Sequence, residues 1–394
     1  MHLFKLFAAA ALTMTFATNS SAVPTVTGDP IIVKHIGSMD WPGDKNGVVV
    51  PFLTQGDANA LNDLHGEASC DVIISTPGNY HMALQDLMHG RADLGHASLV
   101  DQIRAQYNLT VCWTTSPPIN EEQIPAEVVQ FGNLRIVGKP VLAMGPGGKM
   151  NNLVNKNLVD ATTVKNFLRN RGNAILVRAD DDNEITGICD LAEDDVRLVT
   201  PRPPARPGEP KDVAAEAGSF GNFSGTVYNV INDNTDLECH DDAEAIFNSF
   251  FSQDLAELDL RGLDNAFNHK KFLKVYKRDD VKWVASSRIM HRDVPYALCN
   301  DYADAGVIFY HQAKYLKREA AKFSCDLEII PMGGTAENPM PVAGNRVGTL
   351  KIAKVNGTFS NEVKLAADII YDAMTTAGGV WETILIEHGM VFPQ

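Results

Sequence analysis

Ala303-Asp304-Ala305-Gly306-Val307-Ile308-Phe309-Tyr310 is a short, largely apolar run opened by an acidic residue, the pattern of a strand buried on both faces. Immediately after it, residues 312–322 space their apolar positions at helical intervals among Lys, Arg and Glu, which predicts an amphipathic helix. The same strand-then-helix rhythm runs outward in both directions. Strands are predicted at 30–35, 48–53, 71–75, 134–137, 174–178, 196–200, 305–309 and 327–331. Helices are predicted at 58–65, 81–88, 160–169, 225–232, 241–251, 294–302, 312–322, 361–375 and 380–388. This alternation implies an α/β fold with mostly parallel sheets flanked by helices.

Residues 1–22 read as a cleavable secretory leader. Lys5 supplies the positive start, an apolar stretch follows, and Asn19-Ser20-Ser21-Ala22 offers small residues for cleavage after about Ala22. Thr13, Thr15 and Thr18 interrupt the apolar stretch, which falls short of the roughly 20 residues that span a bilayer. The expected location is the periplasm.

The chain of 394 residues exceeds the size at which one core keeps growing, so two lobes are expected. A net charge of −15, deepened by one when Lys5 leaves with the leader, argues against nucleic acid or an anionic membrane as partner. It does not exclude an anionic ligand, because backbone amides and helix ends bind anions on acidic proteins. Cys70, Cys112, Cys189, Cys239, Cys299 and Cys325 permit up to three disulfides in an oxidising compartment, with Cys299–Cys325 the pairing suggested and buried free thiols the alternative. Their spacing is not that of a zinc site.

Two stretches read as loops: 201–210, crowded with proline, and 117–125. The run Asp180-Asp181-Asp182 lacks the spacing of an EF-hand and reads as a solvated turn. Gly145-Pro146-Gly147-Gly148-Lys149 lacks the Ser/Thr of a P-loop and reads as a turn. With no His-Glu-x-x-His, no Gly-x-Ser-x-Gly and no paired metal-binding histidines, binding rather than catalysis is expected, with no cofactor and no metal.

Several segments, in order, resemble a known family. They are Ile31-Ile32-Val33-Lys34-His35-Ile36-Gly37-Ser38, Gly66-Glu67-Ala68-Ser69-Cys70-Asp71-Val72-Ile73-Ile74-Ser75, Asn173-Ala174-Ile175-Leu176-Val177-Arg178, Ile185-Thr186-Gly187-Ile188-Cys189-Asp190-Leu191, Ala303–Tyr310, and the tail from Gly378 to Val391-Phe392-Pro393. Together they resemble the type II periplasmic binding proteins, in the molybdate-binding-protein-like branch of ABC transporter receptors. The chain is longer than typical molybdate receptors. The resemblance implies two lobes joined by two crossover strands, 23–173 with 332–394 as the first and 174–331 as the second. It also implies an interlobe cleft that closes on a ligand and docks on a membrane permease, with an oxyanion of the molybdate, tungstate or sulfate kind as solute. A larger organic or apolar ligand on the same fold, suggested by Trp41, Phe52, Phe220 and Phe223, is the alternative; docking on a receptor kinase is another.

Candidate ligand contacts follow from strand ends and helix starts. Ser38 offers a hydroxyl in a polar turn. Thr54-Gln55-Gly56-Asp57 stands where the family has a Ser-Ser-Gly turn; Asp57 is read as a helix cap. Thr76 ends a strand. Gly221 and Asn222 lie in a glycine-rich loop before a helix, a possible anion nest against an ordinary loop. Arg292 precedes a helix with Pro295 in its first turn, and grips an anion or pairs with Asp293 or Asp304. Tyr310 stands one residue after the family's ligand tyrosine, a slot that Phe309 fills here.

Overall fold

The computed structural model describes residues 25–27, 65–113, 121–131, 133–180, 184–193, 196–201, 221–243, 283–285, 290–299, 303–321 and 324–393. The expected leader at 1–22, the strands at 30–35 and 48–53, and nearly all of the helix at 58–65 lie outside these residues. So do most of the helix at 241–251 and of the proline-rich loop.

The strands are β1 (Thr25–Thr27), β2 (His65–Ser69), β3 (Val72–Ser75), β4 (Val111–Trp113), β5 (Val128–Phe131), β6 (Asn133–Val137), β7 (Leu142–Pro146), β8 (Lys165–Arg169), β9 (Asn173–Arg178), β10 (Leu198–Thr200), β11 (Trp283–Ala285), β12 (Ala305–Phe309), β13 (Leu327–Pro331) and β14 (Thr349–Lys354). The helices, numbered here in order, are α1 (His81–His89), α2 (Leu99–Tyr107), α3 (Gly147–Asn155), α4 (Ser224–Asp233), α5 (Met290–Cys299), α6 (Tyr310–Ala321), α7 (Asn361–Thr375) and α8 (Val380–Glu387). The fold is α/β.

One five-stranded sheet has the order β4-β3-β7-β14-β8, with β4, β3 and β7 parallel and β14 antiparallel to both its neighbours. Val72, Ile73, Ile74, Trp113, Phe167 and Ile352 build its core with Leu84 and Leu87 of α1, Ile370 of α7 and Trp381 of α8. The Trp381 indole donates to the carbonyl of Phe167 at 2.8 Å, so this large buried ring costs no unpaired donor. A smaller sheet, β1-β2-β6-β5, continues from it. There β2 runs into β3 across Cys70-Asp71, and β6 into β7 across Gly138, whose φ of +133° places it beside Ile73 where a side chain would collide.

The second five-stranded sheet has the order β11-β10-β12-β9-β13, with β11, β10 and β12 parallel and β9 antiparallel to β12 and β13. Ile175, Leu176, Val199, Phe223, Val227, Val294, Leu298, Val307, Ile308 and Leu316 form its separate core. Gly306 in the middle of β12 is required by packing: a Cβ there would stand 2.8 Å from methyl carbons of Val199 and Val294. The chain leaves the first sheet at β8, enters the second at β9, and returns from β13 to β14.

All six cysteines are bridged: Cys70–Cys112, Cys189–Cys239 and Cys299–Cys325. The first ties the start of β3 to β4, and the third ties α5 to the approach to β13. The free-thiol alternative is excluded.

Several expectations are corrected. Residues 160–169 form no helix. The Asp160 carboxylate accepts from the Thr162 amide at 2.9 Å, a single 3-10 turn spans Ala161–Thr163, and β8 follows. Thr162, Thr163 and Val164 are β-branched and lose rotamer freedom in a helix, while Phe167 and Leu168 bury themselves against β14. The segment at Gly145–Lys149 is a strand–helix junction, β7 ending at Pro146 and α3 starting at Gly147. The helix expected at 294–302 begins earlier, at Met290, so Pro295 lies inside α5. His65, expected to end a helix, starts β2.

Candidate functional site

Where the two cores meet, the molecule buries polar side chains. Of the polar residues with less than a tenth of their surface exposed, Ser75 and Thr76 lie at the carboxyl end of β3, Asn173 opens β9 beside the carboxyl end of β12, and His81, Ser224, Thr226, His311 and Gln312 lie at the starts of α1, α4 and α6. The carboxyl ends of parallel strands and the amino ends of helices carry outward-facing backbone donors, and α/β proteins place ligands there.

The first-sheet side of this seam is Ser75-Thr76-Pro77 at the end of β3, followed by a 3-10 turn at Gly78–Tyr80 and by α1. The hydroxyls of Thr76 and Tyr80 share a hydrogen bond, and Tyr80 donates to the Met144 sulfur at 3.0 Å. Burial pushes the Tyr80 phenol well above its ordinary range against the opposing bond from Thr76, so it stays neutral.

Facing it, β12 ends at Phe309 and α6 begins. His311 Nε2 donates to the carbonyl of Asn79 at 2.5 Å, and the rings of His81 and Tyr315 meet edge to face at 6.3 Å. Met82 of α1 packs into the second core although Ala83 and Leu84 pack into the first. The start of α1 therefore bridges both cores.

Asn173 sits at the same end of the second sheet, opposite Phe309 in the β9–β12 register. Its side-chain amide donates to the Asn222 carbonyl at 3.2 Å and to Thr226 Oγ1 at 2.8 Å, and the Thr226 hydroxyl in turn donates to the Asn222 carbonyl. Phe309 packs edge-on against Phe223 at 5.0 Å and stacks on His311 at 5.3 Å, so the Asn222–Phe223 turn and the start of α6 share one neighbourhood.

Among the described residues, five polar groups at or near this seam are buried with no hydrogen-bond partner. They are Ser75 Oγ, Asn79 Oδ1, Asn173 Oδ1, Asn222 Nδ2 and the whole side-chain amide of Gln312. A buried polar atom left unpaired costs about 1–3 kcal/mol, and native proteins leave few of them. Each of these atoms needs a ligand, a water or a shift of its neighbours to complete its hydrogen bonding.

The sequence-derived candidates are distributed as follows. Ser38, Thr54, Gln55 and Gly56 lie outside the described residues. Thr76 is at the seam, hydrogen-bonded to Tyr80 and to the Pro77 carbonyl. Asn222 is at the seam, with Gly221 beside it; a Cβ on Gly221 would stand 4.0 Å from the Arg346 guanidinium, which brings an exposed cation to this turn. Arg292 is in the first turn of α5. Tyr310 starts α6, but its hydroxyl donates to the Ala336 carbonyl at 2.7 Å and its ring covers Gly389, so its polar group already has a structural task. Burial raises the Tyr310 phenol, with Arg171 opposing and Glu337 reinforcing.

Sequence reasoning did not single out Asn173, Gln312, Asn345 or Arg346. Asn173 offered a faint signal, a polar residue opening an apolar strand. Gln312 offered none, since a glutamine in the first turn of a helix is ordinarily solvated.

No protein-family model matches the sequence, and no curated protein matches it. Solved structures similar to the chain include the periplasmic molybdate-binding protein of Azotobacter vinelandii (13% identity, 82% of this chain and 100% of that one, TM-score 0.41). The sulfate-binding protein SubI from Mycobacterium tuberculosis is similar at 12% identity over 82% of this chain and 86% of its own, with a TM-score of 0.40. Peb3 from Campylobacter jejuni is similar at 13% identity over 82% and 99%, with a TM-score of 0.39.

Proposed function

We propose that this chain is a periplasmic solute-binding receptor of the type II, two-lobed kind, which captures a small polar solute between its lobes and delivers it to the permease of an ABC importer. Residues 23–173 with 332–394 are one lobe and 174–331 the other, each built on one of the two five-stranded sheets. The observation that carries this reading is the set of buried polar groups of Ser75, Asn173, Asn222 and Gln312 that have no partner among the described residues, on the elements where the two cores meet. An oxyanion group suits the donors Ser75 Oγ, Asn222 Nδ2 and Gln312 Nε2, with Arg346 at the rim; molybdate, tungstate, sulfate, phosphate and small organic acids all carry one. Neutral donors hold an anion without burying a counter-charge, whose desolvation would cost several kcal/mol. The leader-like pattern at 1–22 agrees with that compartment. Among the described residues no helix is long and apolar enough to cross a membrane.

Native mass spectrometry of the mature protein, purified from its periplasm, tests the reading. The expected result is a bound small molecule that is lost on unfolding, is regained on refolding with the released fraction, and is not held by Gln312→Leu. A wild-type protein without saturable binding of any oxyanion or organic acid would remove the receptor assignment.

A further inference from the structure

The orientation of one amide constrains the solute further. The Asn173 side chain is fixed by two acceptors on one side: the Asn222 carbonyl can only accept, and Thr226 Oγ1 uses its own proton on that same carbonyl. Nδ2 must therefore face them, because a flipped amide would set its oxygen against a carbonyl oxygen. This leaves Oδ1 as a bare acceptor on a residue only 2% exposed, with no partner among the described residues. Asn79 Oδ1 and Gln312 Oε1, just before α1 and in the first turn of α6, are likewise buried with no partner among the described residues.

Resting on the receptor reading, we infer that the solute of this site donates a hydrogen bond to Asn173 Oδ1 while it accepts from the seam's amide donors. The recognised chemistry is an acidic group together with a hydroxyl, an N–H or a retained acid proton. A fully deprotonated tetrahedral oxyanion has only acceptors. Molybdate, tungstate and sulfate carry no proton at neutral pH, so each would set an anionic oxygen against Asn173 Oδ1 or leave that atom unpaired. A site built around a ligand hydroxyl or N–H strongly rejects the analogue that lacks it, for the same reason. Hydrogen phosphate and hydroxy acids satisfy both halves of the pattern.

Isothermal titration of the refolded, ligand-free mature protein with two size-matched pairs tests this: hydrogen phosphate against sulfate, and lactate against pyruvate. The co-purified molecule is identified in parallel by mass spectrometry. The expected result is that the co-purified molecule carries an O–H or N–H, and that in any pair that binds the donor-bearing member is at least about tenfold tighter. Thr226→Val, which removes one of the two acceptors that orient the Asn173 amide, narrows that preference; Asn173→Leu, if it folds, erases it. Equal or tighter binding of sulfate or pyruvate, or a proton-free co-purified oxyanion, overturns the inference and leaves the receptor reading standing. No co-purified molecule and no saturable binding of any oxyanion or organic acid overturns both.

Discussion

Asn173 and Asn345 lie 172 positions apart and pair like two strands of a sheet: the Asn345 side chain accepts from the Asn173 amide at 2.8 Å and donates to the Asn173 carbonyl at 2.9 Å. The pair joins the segment that enters the second sheet to the one that leaves it. Close by, Asn170 Oδ1 accepts from the amides of Gly172 and Gly348 at 3.1 and 2.8 Å. Two asparagines thus stitch the outward and return connections between the cores, with backbone groups of both strands as their partners.

Asn345→Leu removes both bonds and leaves the buried Asn173 amide and carbonyl unpaired. The expected loss is about 2–4 kcal/mol of unfolding free energy, from a penalty of about 1–3 kcal/mol per orphaned group. Urea denaturation followed by tryptophan fluorescence measures it, and a change below 0.5 kcal/mol (about the noise of a surface substitution) would mean that the connections are held by other contacts.

Tyr310→Phe deletes only the bond to the Ala336 carbonyl. It should cost about 0.5–1.5 kcal/mol of stability and leave solute affinity within roughly twofold, a factor of about 0.4 kcal/mol. Thermal melts paired with titration separate the two, and a large loss of affinity with unchanged stability would place the hydroxyl on the solute instead.

Asp86 of α1 accepts from Arg91 at 2.8 Å and from His388 at 2.9 Å, and Arg91 also bonds Glu387 at 2.7 Å, tying α1 to α8. Burial alone would raise the Asp86 carboxyl, but the bonds and charges of His388 and Arg91 together hold it below the ordinary carboxylate range. A depressed carboxylate contributes stability that is complete above its unfolded pKa, about 3.9, and is lost as pH falls through the lower folded value. Wild-type protein should therefore melt higher than Asp86→Asn at neutral pH, and the two should converge in strong acid. Parallel melting curves across that range would refute the linkage.

Peptide mapping without reductant should recover Cys70–Cys112, Cys189–Cys239 and Cys299–Cys325 and no free thiol. The double variant Cys299→Ser with Cys325→Ser opens a loop of 26 residues and should cost about 3.5 kcal/mol on the chain-entropy account. Any other pairing would contradict the way α5 approaches β13.

Much of the fold is written locally. The strands at 305–309 and 327–331 and the helix at 361–375 form where apolar periodicity places them, because a stretch buried on both faces or along one stripe records its surroundings in its own pattern. The strand β8 was not legible, because Lys165-Asn166-Phe167-Leu168-Arg169 satisfies a helical stripe as well as a strand, and its pairing with β14 lies 180 residues away in the chain. The strand β14, Thr349-Leu350-Lys351-Ile352-Ala353-Lys354, is absent from the strands predicted from sequence, although its apolar positions alternate.

The site divides in the same way. The alternation of apolar strands with amphipathic helices is local, and so are the leader-like pattern at 1–22 and the polar turns at strand ends and helix starts that nominate candidate ligand contacts. Which of those polar groups are buried, and which have partners among the described residues, depends on packing between distant segments. That Tyr310 is committed to Ala336 and Asn173 to Asn222 and Thr226 follows from contacts between segments 26 to 53 positions apart. Hydrogen-bond satisfaction is a property of the packed neighbourhood, and no residue carries it in its own identity or in that of its neighbours along the chain.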